Sequence, residues 1–279
     1  MTAQCEVCRG ILLELDIVGE QILRCRDCGH VERPYPGLST RQQVYGGVPE
    51  RDELRTELTF RRIKRAIGGR PYSSVFEVGF GDGGLLRRFF DDGMEIAGCD
   101  PGANQVGIDS QVSRFGTLFH APLEEIPTDV HADVVVAIHV VEHLPEAVPA
   151  LDALLNIVRP GGLLFITTPT ADCVPFDVFG GSWWMLEDPT HVRFYSEQSL
   201  RLGLVRDGVT VAITRPRLDS IGSDGASLVT KLRHLQGADP TLTQATGRFG
   251  SLAIAPVALG FRSLHRRARP VLDATVRVK

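Results

Sequence analysis

The chain has 279 residues, a hydrophobic fraction of 43%, a charged fraction of 23% and a net charge of −4, which suits one medium α/β domain with a small appendage. No apolar run is long enough to cross a bilayer and no cleavable leader opens the chain, so the expected location is the cytoplasm. The charge is uneven: residues 225–279 carry nine Lys or Arg against Asp239 and Asp273, a net +7 that leaves −11 elsewhere.

In chain order, the first feature is a pair of close cysteine pairs, Cys5-Glu-Val-Cys8 and Cys25-Arg-Asp-Cys28, with 16 residues between them. In a cytosolic chain such pairs suggest metal rather than disulfides. Two residues between thiolates let one backbone turn present both sulfurs, and two such turns complete a tetrahedral S4 shell suited to Zn2+. Gly10 and Gly29 follow the pairs, and 11–18 and 21–24 read as two short strands joined at Gly19. The segment 1–36 resembles a zinc ribbon. With all four positions filled by cysteine, the site is expected to be structural. Fewer than 40 residues bury little core, so the metal would supply folding energy. A redox CxxC reading would make the two matched pairs a coincidence.

Pro34, Pro36 and Gly37 mark a linker. An amphipathic helix is expected over about 49–67, with Leu54, Leu58, Ile63 and Ile67 on one face, ended by Gly68-Gly69-Arg70-Pro71. Residues 37–70 are thus a linker and a helix covering the entrance of the next domain.

The core is expected over 71–221. Ser73–Val78 reads as a strand containing Glu77, followed by Gly79-Phe80-Gly81-Asp82-Gly83-Gly84 and a helix with Leu85, Leu86, Phe89 and Phe90. A second strand, Glu95–Cys99, ends at Asp100-Pro101. Asp100 lies 21 residues after Gly79, the range of an acid that binds ribose hydroxyls. Gly79, Gly81 and Gly84 also satisfy GxGxxG, so a nicotinamide-dependent oxidoreductase is a rival. The carboxylate of Glu77 beside the loop would repel a pyrophosphate and favour a cationic ligand. A helix is expected over Ala103–Phe115, then strands at Thr117–His120, Asp133–Ile138, Leu163–Thr168 and Val209–Thr214, with helices at Pro145–Val158 and Glu197–Arg206. Arg159-Pro160-Gly161-Gly162 is expected to end the first of these two helices. Continuous apolar strands between helices imply a parallel sheet covered on both faces.

The stretch Glu77-Val-Gly-Phe-Gly-Asp-Gly83 resembles the first motif of class I S-adenosylmethionine-dependent methyltransferases. Val140-Val-Glu-His-Leu144 and Val158-Arg-Pro-Gly-Gly162 are similar to their later motifs. Trp183-Trp184 and Asp188-Pro-Thr-His-Val-Arg-Phe-Tyr-Ser196 resemble a subgroup that often carries an N-terminal CxxC…CxxC module and acts on sugars, glycans and secondary metabolites. The resemblance covers roughly 1–215, and Phe80 departs from it, since a small residue or cysteine is more usual there. It implies an α/β, doubly wound, Rossmann-like sheet of seven strands with the last antiparallel. It also implies S-adenosylmethionine as cofactor. Glu77, Gly79, Gly81 and Gly83, with Phe80 between them, would hold the methionine end; Asp100, with Pro101, the ribose diol; and Pro122, Leu123 and Glu124 the adenine edge. His139 would face cofactor and substrate.

Methyl transfer to a hydroxyl, the favoured acceptor, needs alignment and a base. The candidates are His139, Glu142, His143, His191 and Tyr195, with His191 preferred as the base because it follows the fifth strand among Trp183, Trp184, Phe194 and Tyr195. His139-Val-Val-Glu142-His143 also spells a zinc-peptidase pattern, but that pattern needs a helix and here it straddles a strand end. A divalent ion on His139, Glu142 and His143 is an alternative, because the resemblance extends to enzymes with a metal near this turn.

Leu228–Leu235 and Leu252–Leu264 are expected to be amphipathic helices of a basic insertion or lid over 222–270, with Arg262, Arg266, Arg267 and Arg269 clustered at its end. That cluster suits a solvated surface, an anionic membrane surface or a lipid-linked acceptor. Residues 271–279 are expected to form the final edge strand. An RNA methyltransferase is the alternative function, but Arg9, Arg24, Arg26 and Arg33 are outnumbered in the ribbon by Glu6, Glu14, Asp16, Glu20, Asp27 and Glu32, which argues against a nucleic-acid partner. A silent binding module is the third reading, opposed by the intact Gly79, Gly81 and Asp100.

Overall fold

Apolar runs that were continuous in sequence become strands buried on both sides. The computed structural model describes residues 3–17, 20–34, 49–102, 107–186, 188–219, 227–228, 230–232 and 258–279. Its main sheet contains β4 (Ser74–Val78), β5 (Glu95–Cys99), β6 (Thr117–Phe119), β7 (Ala132–Ile138), β8 (Val158–Pro169), β10 (Val209–Thr214) and β11 (Val271–Val278). Their order is β10-β11-β8-β7-β4-β5-β6. β7 shows why the sheet is covered twice. Val135 and Ala137 join one apolar cluster, with Leu151, Leu154 and Leu200 of α4 (Ala147–Ile157) and α6 (Glu197–Leu204). Val134 and Val136 join the other, with Ile63 of α1 (Pro49–Ile67) and Leu86 and Phe89 of α2 (Gly84–Asp91). Alternate residues of a strand point to opposite faces, so an all-valine run needs helices on both.

The last strand is antiparallel, pairing with β8 and with β10. It is interior, not an edge: β10 is the edge strand. The burial explains this, because Val271, Leu272, Asp273 and Ala274 are all buried while every second residue of β10 is exposed and only Ile213 is buried. A second correction concerns the helix expected from Ala103. Residues 107–109 are not helical, and α3 runs Ser110–Phe115, started by Asp109, whose carboxylate accepts from Gln111 N and Val112 N. Such a side-chain cap fixes a helix start; residues 103–106 lie outside the described residues. A third concerns Arg159–Gly162, expected to end the helix ahead of a strand from Leu163: they are part of β8, which begins at Val158 directly after α4 ends at Ile157. Leu54, placed on the apolar face of α1, is exposed, whereas Ile63 and Ile67 are buried.

At the start of β7, Asp133 accepts from Ser73 N, Ser73 Oγ and Ser74 N at 2.8, 2.8 and 3.1 Å. Burial raises its pKa, but these bonds and Arg159 outweigh burial and hold it at about 2, against an ordinary 3.8. A depressed folded-state pKa gives stabilisation that is present above the unfolded value and is lost as pH falls through the folded one. Asp133→Asn is therefore expected to flatten the loss of stability between pH of about 4 and about 2. Urea midpoints measured across that range check this, and parallel curves for both chains would refute it.

The N-terminal segment builds a second, four-stranded sheet from β1 (Leu12–Ile17), β2 (Glu20–Cys25), β3 (Val31–Glu32) and β9 (Arg193–Phe194), in that order. Three strands come from the cysteine-rich segment, and the fourth comes from the core. The join Gly19 lies outside the described residues, as do Pro36 and Gly37 of the linker. Ile22 and Val31 pack with Phe176, Trp183, Met185 and Phe194 in one buried cluster.

Candidate active site

Glu77 is the fourth residue of β4, and the chain bends directly after that strand. Gly79 and Gly81 have φ of 75° and 55°, a region open to glycine at little cost. A Cβ at Gly79 would lie 2.6 Å from Val140 Cγ2, so that glycine serves packing. A Cβ at Gly81 would meet nothing within 4 Å, so the middle of the bend is bare backbone. Phe80 turns inward into the cluster with Leu86 and Phe89, which is how a large residue fits here without covering the bend. Asp100, at the end of β5, takes Gly81 N on Oδ2 at 2.8 Å and Gly102 N on Oδ1 at 2.7 Å. Pro101 continues that turn. Glu77 is buried, and its Oε2 has no hydrogen-bond partner among the described residues. Burial, then the charges of Asp82 and Asp100, push its pKa well above the usual range. Glu77, Asp82 and Asp100 stand beside a bare bend, with no cation among the described residues acting on Glu77, and form a donor set that fits a ligand bearing an ammonium and a sulfonium. Leu123 is buried and Pro122 half-buried beside the bend's strands, while Glu124 is exposed, in a turn over Leu123–Glu125.

At the end of β7, His139 adopts φ of 55°. Its Nδ1 donates to Glu142 Oε1 at 3.2 Å, and its Nε2 lies 3.6 Å from Asp219 Oδ1. Glu142 is fully buried and takes Thr168 Oγ1 on Oε2 at 3.0 Å. Asp219 accepts both guanidinium Nη atoms of Arg62, each at 2.9 Å. Arg62 also lies 3.3 Å from Asp273, which accepts Thr167 Oγ1 at 2.9 Å. Burial and Arg55 oppose protonation of His139, but Asp219 and Glu142 overcome them and its pKa is raised. Burial raises Glu142, yet the hydrogen bond and charge of His139 hold it at about 2. Burial pushes Asp273 up to about 6. The helix α1 thus reaches the site through Arg62. Neither Arg62 nor Asp219 was singled out in the sequence, because they lie 157 residues apart and carry no motif.

Behind this triad, His143 and His191 pack ring to ring at 4.6 Å. The Nδ1 of His143 donates to Thr190 O at 3.0 Å, and that of His191 to Met185 O at 2.6 Å. A carbonyl only accepts, so both rings carry a proton on Nδ1, which leaves Nε2 as the atom where a further proton is gained or lost. His191 Nε2 lies 3.8 Å from Asp188 Oδ2. Ligand atoms of Glu142, His143 and His191 lie within 4.8 Å of one another. For an ion at this turn, His191 therefore takes the place expected for His139, which is turned toward Asp219. The aromatic wall is also corrected. Trp183, Phe194 and Tyr195 are fully buried, and Trp183 packs against Phe176 and Phe194 rather than lining a cleft. Tyr195 faces His30 at 5.1 Å between centroids, with its hydroxyl buried, so it serves packing.

The four cysteines gather on their own. Their sulfurs lie within 4.8 Å of one another, with Cys5–Cys28 at 3.7 Å and Cys8–Cys25 at 3.4 Å. A ZnS4 tetrahedron with bonds of about 2.3 Å has edges of about 3.8 Å, so the donor set fits zinc.

The basic cluster near the end is spent internally. Arg266 pairs with Glu197, Arg267 with Asp172 and Asp177, and Arg215 with Asp172 and Glu197. Arg262 is fully buried and donates to Asp219 O at 2.7 Å, and Arg269 donates to Arg262 O. These arginines knit the end of the chain to the core, Arg266 and Arg267 through carboxylates and Arg262 and Arg269 through backbone carbonyls. Residues 258–264 are helical, and most of the expected insertion lies outside the described residues. No described helix is long and apolar enough to cross a membrane.

Comparison with known proteins bears on the family and the fold. A family model described as a methyltransferase domain matches residues 51–211. The chain is similar to malonyl-[acyl-carrier protein] O-methyltransferase of Enterobacter lignolyticus (strain SCF1), 28% identical over 136 residues, which are 48% of this chain and 53% of that protein. It is also similar to ubiquinone biosynthesis O-methyltransferase of Aeromonas salmonicida (strain A449), 27% identical over 108 residues, 36% of this chain and 45% of that one. The chain spans about half the length of the curated relatives it matches. Among solved structures, coclaurine N-methyltransferase bound to N-methylheliamine and S-adenosylhomocysteine (SAH) gives a TM-score of 0.52 at 12% identity, covering 84% of this chain and 72% of that one. A putative sarcosine dimethylglycine methyltransferase from Galdieria sulphuraria gives 0.51 at 17%, covering 80% and 84%. At these identities the structures speak to the fold.

Proposed function

The chain belongs to the methyltransferase-domain family; from that premise we propose that it is an S-adenosylmethionine-dependent methyltransferase that methylates a hydroxyl of a small molecule, of the sugar, glycan or secondary-metabolite kind. The observation that carries the acceptor reading is the gathering of His139, Glu142, His143 and His191 at the end of β7, where Val140 packs against Gly79 of the bend. Two of the matched relatives are named O-methyltransferases, which supports an oxygen acceptor.

When bound, the cofactor supplies a methyl group already activated on a sulfonium. Glu77 and the bend would hold its cationic end, Asp100 and Pro101 its ribose, and Pro122, Leu123 and Glu124 its adenine edge. His139, held as an imidazolium between Glu142 and Asp219, would face cofactor and acceptor and supply positive charge beside them. The acceptor oxygen would take the methyl group, and His191 Nε2 would take the hydroxyl proton. Zinc on Cys5, Cys8, Cys25 and Cys28 has a structural role.

The test is a product one methyl group heavier from a panel of nucleotide sugars and hydroxylated pathway intermediates. His191→Ala is expected to lower turnover by about 100-fold or more, the usual contribution of a general base, with SAH affinity unchanged. Unchanged turnover would remove His191 from the chemistry. A divalent cation on Glu142, His143 and His191 is the second reading, favoured by their clustered ligand atoms. Turnover of the zinc-loaded enzyme that resists a chelator and gains nothing from added Mn2+ would exclude it.

A further inference from the structure

We propose that Arg33 is a positioning residue for methyl transfer, the point at which the cysteine-rich module sets the geometry of the His191 loop. The inference rests on the reading of His191 as the group that receives the acceptor's proton.

The observation is a continuous run of hydrogen bonds from the cysteine knuckle to the histidines. At the knuckle, Cys25 N donates to His30 O at 2.7 Å, and the Ser196 hydroxyl donates to Cys28 O. From there β3 pairs with β2 on one side and with β9 on the other, bringing Val31 opposite Phe194 and Glu32 opposite Arg193. The ladder continues one residue further, where Arg33 N donates to Val192 O at 3.0 Å. Val192 N in turn donates to Glu142 O at 2.8 Å. The residue next to His191 is thus held by its own backbone between the module and the Glu142-His143 turn.

The side chain of Arg33 acts on the other flank of His191. It is buried, and its Nη1 donates to Leu186 O at 3.1 Å while Nη2 donates to Asp188 O. Those carbonyls lie at the start of the stretch from Leu186 that leads into His191. The preceding carbonyl, Met185 O, is the one that accepts His191 Nδ1 at 2.6 Å and so sets which nitrogen is basic. Adhesion between module and core is already supplied by Ile22 and Val31 against Trp183 and Phe194. A guanidinium aimed at carbonyls of this one loop adds direction, since hydrogen bonds fix orientation where apolar contact does not.

The experiment uses the full-length, zinc-loaded enzyme and compares Arg33→Met, Arg33→Lys and His191→Ala. Arg33→Met is expected to keep one zinc per chain and SAH affinity within about twofold, while kcat falls by about 100-fold, the loss that a misplacement of about 1 Å produces. The acceptor KM is expected to change little. The hydrogen-bonded His191 Nδ1–H resonance, assigned by its absence in His191→Ala, should shift or vanish, and the pH profile of kcat should move. Arg33→Lys restores one donor of the fork and should recover part of the rate. Wild-type kcat and pH profile in Arg33→Met would overturn the proposal. So would loss of SAH affinity in parallel with kcat, which marks a general fold defect. If His191→Ala itself keeps full turnover, the reading of the base fails and this inference with it. If only the Arg33 variants are silent, the base stands and the positioning role falls.

Discussion

Asp100→Ala is expected to weaken donor binding by at least about 100-fold, because hydrogen bonds to a charged group are worth about 1.5–3 kcal/mol each and this carboxylate makes several. Its two oxygens serve different partners, Oδ2 holding Gly81 N and Oδ1 holding Gly102 N. Alanine removes both anchors of the bend together with the acceptor for a ribose diol. Asparagine is expected to fare nearly as badly despite its equal size. One of its two terminal atoms is an NH2, which would face a backbone N–H whichever way the amide is turned. Calorimetry with SAH checks both variants, using zinc content as the control for folding. Affinity within tenfold of wild type in Asp100→Ala would take Asp100 out of the donor site.

Cys25→Ser is expected to cost the chain its metal and to lower Tm by roughly 10 °C, the shift that about 3–4 kcal/mol produces in a domain of this size. Structural zinc contributes on the order of 10 kcal/mol to the folding of small modules. Here the loss reaches beyond the module, because Ile22 and Val31 cover Trp183, Phe194 and Met185 of the core. Once the module unfolds, Trp183 becomes wet, so its fluorescence should shift to longer wavelength at a temperature where the wild type is native. Zinc per chain, Tm and emission maximum check the three parts. A variant that binds no zinc yet keeps the wild-type Tm and emission would show that the module is a passive appendage.

The donor half of the site was legible in the sequence because it is local. Glu77, Gly79 and Gly81 fall within five residues, and a strand, a glycine bend and a helix leave few other arrangements. The cysteine cluster was legible for the same reason, since two residues between thiolates already imply a shared ion. The acceptor half was legible in its members and not in its wiring. His139, Glu142, His143 and His191 were named from their position at strand ends, but periodicity says nothing about Asp219 and Arg62, which reach His139 from distant loops and from α1. Short strands were invisible too. Val31–Glu32 and Arg193–Phe194 are two residues each, below the length at which alternation means anything. Without them, Trp183, Phe194 and Tyr195 resembled the wall of a cleft, whereas they are the floor beneath the module. The interior place of β11 was hidden because alternation in 274–278 is shared by edge and inner antiparallel strands, and neighbours decide between them.

The pairing of β3 with β9 also bears on how the polypeptide matures on the ribosome. Val31 and Glu32 are made about 160 residues before Phe194 and Arg193. At about 5–20 residues per second, their outer edge waits on the order of 10–30 s for its partner. Throughout that interval a nascent chain would expose an unpaired strand edge beside Ile22 and Val31, the kind of surface that invites mispairing with another chain. Early capture of zinc would keep that edge short and held in shape until the closing strand emerges. Metal supply during translation then governs the yield of native enzyme, separately from any part it plays in the finished molecule.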